Sequence, residues 1–197
     1  MGVRTVFGCS SKRQLKATRP HVIIGIMRSP ETIEIARIPT GSRSIDEAIW
    51  INIRGLAVAA EQVMLCAIAR RSNLPVGAAV RAGIEGFAGG FAGAQHLSNE
   101  ALTFVGANFE VRWQNSYHAE EVAILKMLLV GCRKIRGIVV SAERELFTPC
   151  GKCLDLLKEF GTSDCLVAHF RPSTDKLSVF TLDEIAPFYP VGENGRG

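Results

Sequence analysis

The sequence predicts an α/β fold, a three-layer α/β/α sandwich around one central mixed five-stranded sheet. Three observations carry this expectation. A long amphipathic helical stretch precedes a pair of strand-like segments, and helices and strands then alternate. The helical stretch 117–130 is apolar almost all round after Glu121, so it belongs in the interior. Strand-like segments number five, at 76–81, 101–105, 138–141, 165–170 and 178–181.

Composition sets the outer limits. With 197 residues, 47% of them hydrophobic, one domain with a sizeable core is expected. No apolar run reaches the roughly 18 residues a membrane-spanning helix needs. The net charge of +4 is uneven. Residues 1–30 hold six basic residues and no acid, leaving 17 basic residues against all 19 acids, a net −2. A near-neutral body argues against a long nucleic-acid track, which shows as clustered basic residues. Of Cys9, Cys66, Cys132, Cys150, Cys153 and Cys165, only Cys150 and Cys153 have ligand spacing. Together with an opening that lacks an apolar secretory segment, this predicts thiolate chemistry in a reducing, cytoplasmic compartment rather than disulfides.

The chain divides into a basic extension over 1–43, a folded domain over 44–190 and a tail over 191–197. The extension is expected to be partly disordered or to add a strand, for which Val22–Met27 is the apolar run; targeting and polyanion contact are the other options. Ser44 with Glu47 forms a capping box before a helix running from Ile45 to about Arg71, in which Ile49, Ile53, Leu56, Ala60, Val63, Met64 and Ala67 recur at threes and fours. Trp50 near its start is a core aromatic, and Pro75 disfavours helical geometry at Leu74. The Gly- and Ala-rich insert Gly83–Asn99 lacks G-x-G-x-x-G spacing after a strand; it is a hairpin loop or a mobile lid, with His96 a surface residue. Asn115 or Ser116 is expected to cap the helix from about Tyr117 to Val130. A second core helix covers Cys150–Phe160 and ends at Gly161, and Leu182–Ile185 begins a short terminal helix.

Chemistry concentrates in two stretches. Tyr117-His118-Ala119-Glu120-Glu121 is answered by Thr148-Pro149-Cys150-Gly151-Lys152-Cys153. His118, Cys150 and Cys153 are three candidate zinc ligands that leave a fourth tetrahedral position open for water. Both cysteines fall at a helix start, where unpaired N–H groups and the helix dipole favour the thiolate. Two thiolates and a neutral imidazole leave zinc formally uncharged. Glu120 is then the carboxylate that moves protons without binding metal, and Glu121 a solvated or structural acid. The order H-x-E then P-C-x-x-C is the signature of zinc-dependent nucleobase deamination. A closed structural zinc site would need a fourth Cys or His at ligand spacing, and none is evident.

Over residues 45–190 the chain resembles the cytidine deaminase family. Ser72-Asn73-Leu74-Pro75-Val76-Gly77-Ala78-Ala79 is similar to its Ser-x-Phe-x-Val-Gly-Ala-Ala, and Gly106-Ala107-Asn108-Phe109-Glu110 to its Gly-x-Asn-x-Glu. His118-Ala119-Glu120 and Pro149–Cys153 match its catalytic and zinc elements. The resemblance implies Zn2+-dependent conversion of a cytosine nucleoside to the uracil nucleoside, with Asn108 and Glu110 bonding the ribose, Ala119 and Leu74 in the substrate site, and homotetramers or dimers as the assembly. A buried amide and carboxylate reward a sugar hydroxyl and penalise its absence.

Several positions depart from the pattern. Leu74 stands where a phenylalanine packs the base, Leu154-Asp155 replaces Arg-Gln, and Val111 replaces an asparagine. Many compact relatives have Cys for His118 and an arginine for Glu121; the two changes are mutually consistent in charge. Ile185–Pro190 partly matches a terminal segment whose aromatic reaches a neighbouring subunit, so Phe188 or Tyr189 is either a substrate contact or core. The expected partner is therefore a small-molecule cytosine nucleoside, cytidine, deoxycytidine or a modified analogue, with no membrane and no nucleic acid. The competing readings are a single-stranded nucleic-acid cytosine deaminase and a non-catalytic zinc-stapled binding protein.

Overall fold

A computed structural model describes residues 29–38, 47–83, 102–111, 116–145 and 148–187. The basic arm with Val22–Met27, Ser44, residues 84–99 with His96, Asn115, Phe188 and Tyr189 lie outside the described residues, as does the side chain of Trp50.

The described residues begin with a 3-10 turn, Pro30–Thr32, followed by β1 (Glu34–Arg37), α1 (Glu47–Met64), β2 (Val76–Gly83) and β3 (Leu102–Ala107). Two short strands follow, β4 (Phe109–Glu110) and β5 (Ser116–Tyr117), then α2 (Ala119–Leu129) and β6 (Lys134–Ala142). The last elements are α3 (Gly151–Phe160), β7 (Gly161–Arg171), β8 (Lys176–Thr181) and α4 (Leu182–Ile185). The main sheet has the order β1-β8-β7-β6-β2-β3, and β4 and β5 pair with each other. Its β6/β7 and β1/β8 pairs are parallel and the others antiparallel. The sheet is mixed as expected, but among the described residues it has six strands rather than five. The sixth, β1, lies at the edge beside β8; Glu34-Ile35-Ala36-Arg37 is too short and too polar to read as a strand before its partner is known.

Strand alternation makes the sandwich. Ala78, Val80 and Ala82 of β2 join Ile138, Val140 and Ala142 of β6 on the face covered by Ala123, Ile124 and Met127 of α2 and Leu157 of α3. On the opposite face, Ala79, Val139, Leu166, Ala168, Phe170, Leu177 and Val179 meet Ile53, Leu56, Ala57 and Ala60 of α1. Two glycines permit the closest approaches. A Cβ on Gly77 would lie 2.0 Å from Ala60 O, and one on Gly106 2.3 Å from Ala119 O and 2.5 Å from Ala123 N. Neighbours that are backbone cannot yield, so β2 can meet α1, and β3 can meet α2, only without a side chain there. Gly161 ends α3 for a similar reason: its φ is −70°, and a Cβ would meet Leu157 O at 2.4 Å.

Three boundaries differ from expectation. Helix α1 stops at Met64 instead of about Arg71, because the amides of Leu65, Cys66 and Ala67 bond three residues back and Ile68 turns away to bridge Phe109. Ser116 lies in β5, so the N-cap of α2 is His118. Finally, α2 is not buried all round: Leu125 is 44% and Leu129 77% exposed. The helix lies on the sheet through one face only, and a solvent-facing leucine is too common to contradict the fold.

Candidate metal centre and substrate pocket

Helices α2 and α3 begin at one place. His118 is the N-cap of α2 and Cys150 the N-cap of α3, with Cys153 one turn further in. The Cys150 Sγ lies 3.1 Å and the Cys153 Sγ 3.5 Å from Nδ1 of His118, and the three candidate ligand atoms fall within 4.8 Å of one another. Ligands on a tetrahedral zinc stand about 3.6 Å apart, given bonds of roughly 2.0–2.3 Å. The set fits that ion in spacing and in chemistry: two sulfurs and one imidazole, with Nε2 left to carry the ring proton. These three residues are positioned to bind zinc. Pro149 and Cys153 are buried and Cys150 is exposed, so the centre is closed on one side and open on the other.

Burial pushes the Cys153 thiol far up, assisted by the neighbouring Glu120 carboxylate and by Cys150. A bound dication reverses that preference, since a coordinating thiol gives up its proton outright. Glu120 is 2% exposed. Burial pushes its carboxyl above the usual range, while its own backbone amide, His118 and the Cys153 thiol pull the other way. It lines the pocket together with His118 and Ala119. Glu121, expected as a solvated or structural acid, is buried, 8% exposed.

The same pocket continues from the metal centre to a wall made of loop backbone. Its cavity of about 190 Å³ is lined by Ser72, Leu74, Val76, Asn108, Glu110 and Ser116, then by His118, Ala119 and Glu120. Asn108 clamps the segment leading into β2. Its Oδ1 accepts from Val76 N–H at 2.9 Å, and its Nδ2 donates to Leu74 O at 3.1 Å. The amide retains one N–H and one lone pair beyond those bonds. Glu110 accepts from the amides of Arg71 and Ser72. Those bonds, with the Ser72 hydroxyl leading, hold its carboxyl below the usual range. The turn that offers these amides needs Asn73 at φ 53°, a left-handed conformation that asparagine tolerates.

The structure therefore brings Leu74, Asn108, Glu110, His118, Ala119, Glu120, Cys150 and Cys153 to one place. Asp155 and Val111 are exposed, and neither lines the pocket. Ser72, Val76 and Ser116 line it without having been singled out as contacts. Ser116 was detectable in principle: it stands two residues before His118, the spacing that puts extended residues on one side.

Residues 55–169, more than half of the chain, match the model of the cytidine and deoxycytidylate deaminase zinc-binding region. Among solved structures, the cytidine deaminase of Burkholderia pseudomallei matches with a TM-score of 0.56 and 24% identity, over 68% of this chain and 95% of that one. The cytidine deaminase of Mycobacterium leprae matches with a TM-score of 0.51 and 22% identity, over 69% of this chain and 98% of that one. That of Mycobacterium tuberculosis gives 0.52 and 17%, over 71% and 98%. At these identities the structures show a shared fold.

Proposed function

The chain belongs to the family of zinc-binding cytidine and deoxycytidylate deaminases, and on that premise we propose that it hydrolyses a cytosine nucleoside to the uracil nucleoside and ammonia. Cytidine, deoxycytidine and modified analogues form the substrate class. The observation that carries this reading is the place of Glu120: 2% exposed, beside the His118–Cys150–Cys153 set, and lining the pocket whose far wall is Asn108 and Glu110.

Bound zinc supplies the Lewis acidity that makes water acidic near neutral pH. Glu120 takes the proton of the attacking water, passes it to the ring nitrogen, and returns a proton to the leaving amine. Water and the exocyclic amino group thereby become the carbonyl oxygen and ammonia. Ala119, fully buried, keeps the first turn of α2 close to β3 and lines the pocket beside Glu120. Glu110, held ionised, accepts a sugar hydroxyl, and the remaining donor of Asn108 serves the same ring. Leu74 contributes an aliphatic wall to the base, and Phe188, outside the described residues, is the candidate for a further contact.

The proposed setting is cytoplasmic nucleoside salvage; the five described cysteines, Cys66, Cys132, Cys150, Cys153 and Cys165, are free thiols. No described helix is long and apolar enough to cross a membrane. The assembly is a homotetramer or homodimer, for which Leu125 and Leu129 on the outer side of α2 offer apolar surface; light scattering on the eluted protein measures it. The activity test is a screen of ammonia release from cytidine, deoxycytidine, CMP, cytosine, adenosine, single-stranded DNA and cytosine nucleoside antibiotics. Turnover of one or more nucleosides is expected. Turnover of single-stranded DNA alone, or of nothing, would overturn the proposal.

A further inference from the structure

The two ligand-bearing helices differ in how firmly the sheet holds them. Helix α2 rests chiefly on β2 and β3, whereas α3 touches the sheet lightly, at β6 and β7, and meets α2 at least as much as either strand. The sheet therefore fixes α2 firmly and α3 lightly, which leaves the first turn of α3 to be held against that of α2 at the spacing that a three-ligand centre needs. Glu121 and Lys152 join them at that level. Glu121 is in the first turn of α2; Lys152 stands between the two cysteines in the first turn of α3. The ammonium donates to Oε1 at 2.7 Å, and Oε2 accepts from the backbone N–H of His118 at 3.4 Å. One carboxylate thus reaches both the residue that offers nitrogen and the turn that offers sulfur. Its side chain is 11% exposed against 60% for the lysine. Water competes poorly for such an anion, and a buried carboxylate that loses its cation is strongly disfavoured.

We propose that the Glu121–Lys152 pair is a positioning clasp, which sets the distance between His118 and the Cys150–Cys153 pair while touching neither metal nor substrate. The inference rests on the zinc-deaminase reading above. Groups that orient metal ligands from outside the coordination sphere typically change metal affinity by about 10–100-fold when removed. The clasp acts on the ligand turns instead of on a ligand's free nitrogen, so geometry and metal retention should both report it.

Full-length wild type is compared with Glu121→Gln, Lys152→Met and Lys152→Arg. Elemental analysis first establishes zinc in the wild type; a wild type that takes up none overturns the metal reading itself. With zinc present, Glu121→Gln and Lys152→Met are expected to release it to a chromogenic chelator about tenfold or more faster. Both should shift the visible absorption of the cobalt-substituted protein and lower kcat more than they raise KM. Lys152→Arg keeps the cation and should restore all three. Unchanged metal release and cobalt spectra in Lys152→Met would overturn the clasp, as would an equal loss in Lys152→Arg. Lys152 is largely exposed, so its variants settle the matter even if Glu121→Gln fails to fold.

Discussion

Helix ends build the metal side of the pocket, while loop backbone builds the side facing it. On the metal side, His118 and Cys150 cap α2 and α3, Cys153 and Glu120 are buried behind them, and the Glu121–Lys152 pair spans the gap. On the facing side, proposed to hold the sugar, Asn108 and Glu110 spend much of their bonding capacity on the backbone of residues 71–76. The first arrangement is anchored to a close-packed core and has little room to vary. The second consists of exposed or half-buried turns whose shape depends on two side chains. The difference teaches which substitutions each side can absorb. Substitution at Leu74 changes a wall without moving the sheet, whereas substitution at Gly106 would displace the helix that carries His118 and Glu120.

The comparison breaks most sharply at Glu120. Glu120→Gln retains shape but not the proton, so deamination is expected to fall by about 10²–10⁴-fold, with zinc content unchanged by elemental analysis. Retained turnover would assign the proton transfers elsewhere. Next in size is Gly106→Ala, whose Cβ meets the backbone of Ala119 and Ala123 first and then the Val122 Cβ on α2. It should cost about 1–3 kcal/mol or more in urea unfolding and weaken zinc retention. Gly55→Ala in α1, with open space around the new Cβ, should instead stabilise by roughly 0.8–1 kcal/mol. On the sugar side, Asn108→Ala removes two bonds to the 74–76 segment. A loss of about 1–3 kcal/mol of stability is expected, and KM should rise while zinc release stays at the wild-type rate.

The smallest effects distinguish the two sides by sign. Burial raises the folded pKa of Glu120 above the unfolded value, so in metal-free protein its favourable contribution is present below about pH 4.5 and lost as pH rises through the folded value. Glu110 is the reverse. Its folded pKa is depressed by the Ser72 hydroxyl and the Arg71 and Ser72 amides, and its contribution is present above about pH 4.5 and lost as pH falls through the folded value. Metal-free Glu120→Gln should therefore melt higher than wild type at pH 7, and Glu110→Gln slightly lower, since solvent screens that exposed carboxylate. Both differences should shrink below about pH 4. Shifts of the same sign would mean that the two carboxylates share one environment.

Much of this was legible in the chain. The alternating segments predicted the layered fold, and His118-x-Glu120 with Cys150-x-x-Cys153 predicted which four side chains converge, because each sits where a helix starts and helix starts are written in local sequence. Other features were not local. The β1 strand has no apolar signal of its own, and only the free edge of β8 gives it a partner. The early end of α1 was hidden because Ala67 continues the helical spacing, while the bridge from Ile68 to Phe109 that competes with it joins residues forty-one apart in the chain. Glu121 reads as an ordinary first-turn acid until Lys152, thirty-one residues away, is placed beside it.

By itself, then, the sequence determined the chemistry: residue types, ligand spacing and helix-start positions specify a zinc site with an adjacent acid, since these depend on neighbours three or four residues away. Tertiary structure alone decided what that chemistry faces. The clamp of Asn108 on Leu74 and Val76, the amides of Arg71 and Ser72 that bond Glu110, and the ion pair that spans the ligand turns all join segments about thirty to forty residues apart. Such contacts exist only after the sheet has folded and buried its two faces, because the entropy of closing those loops is offset by the packed core and not by the bonds themselves.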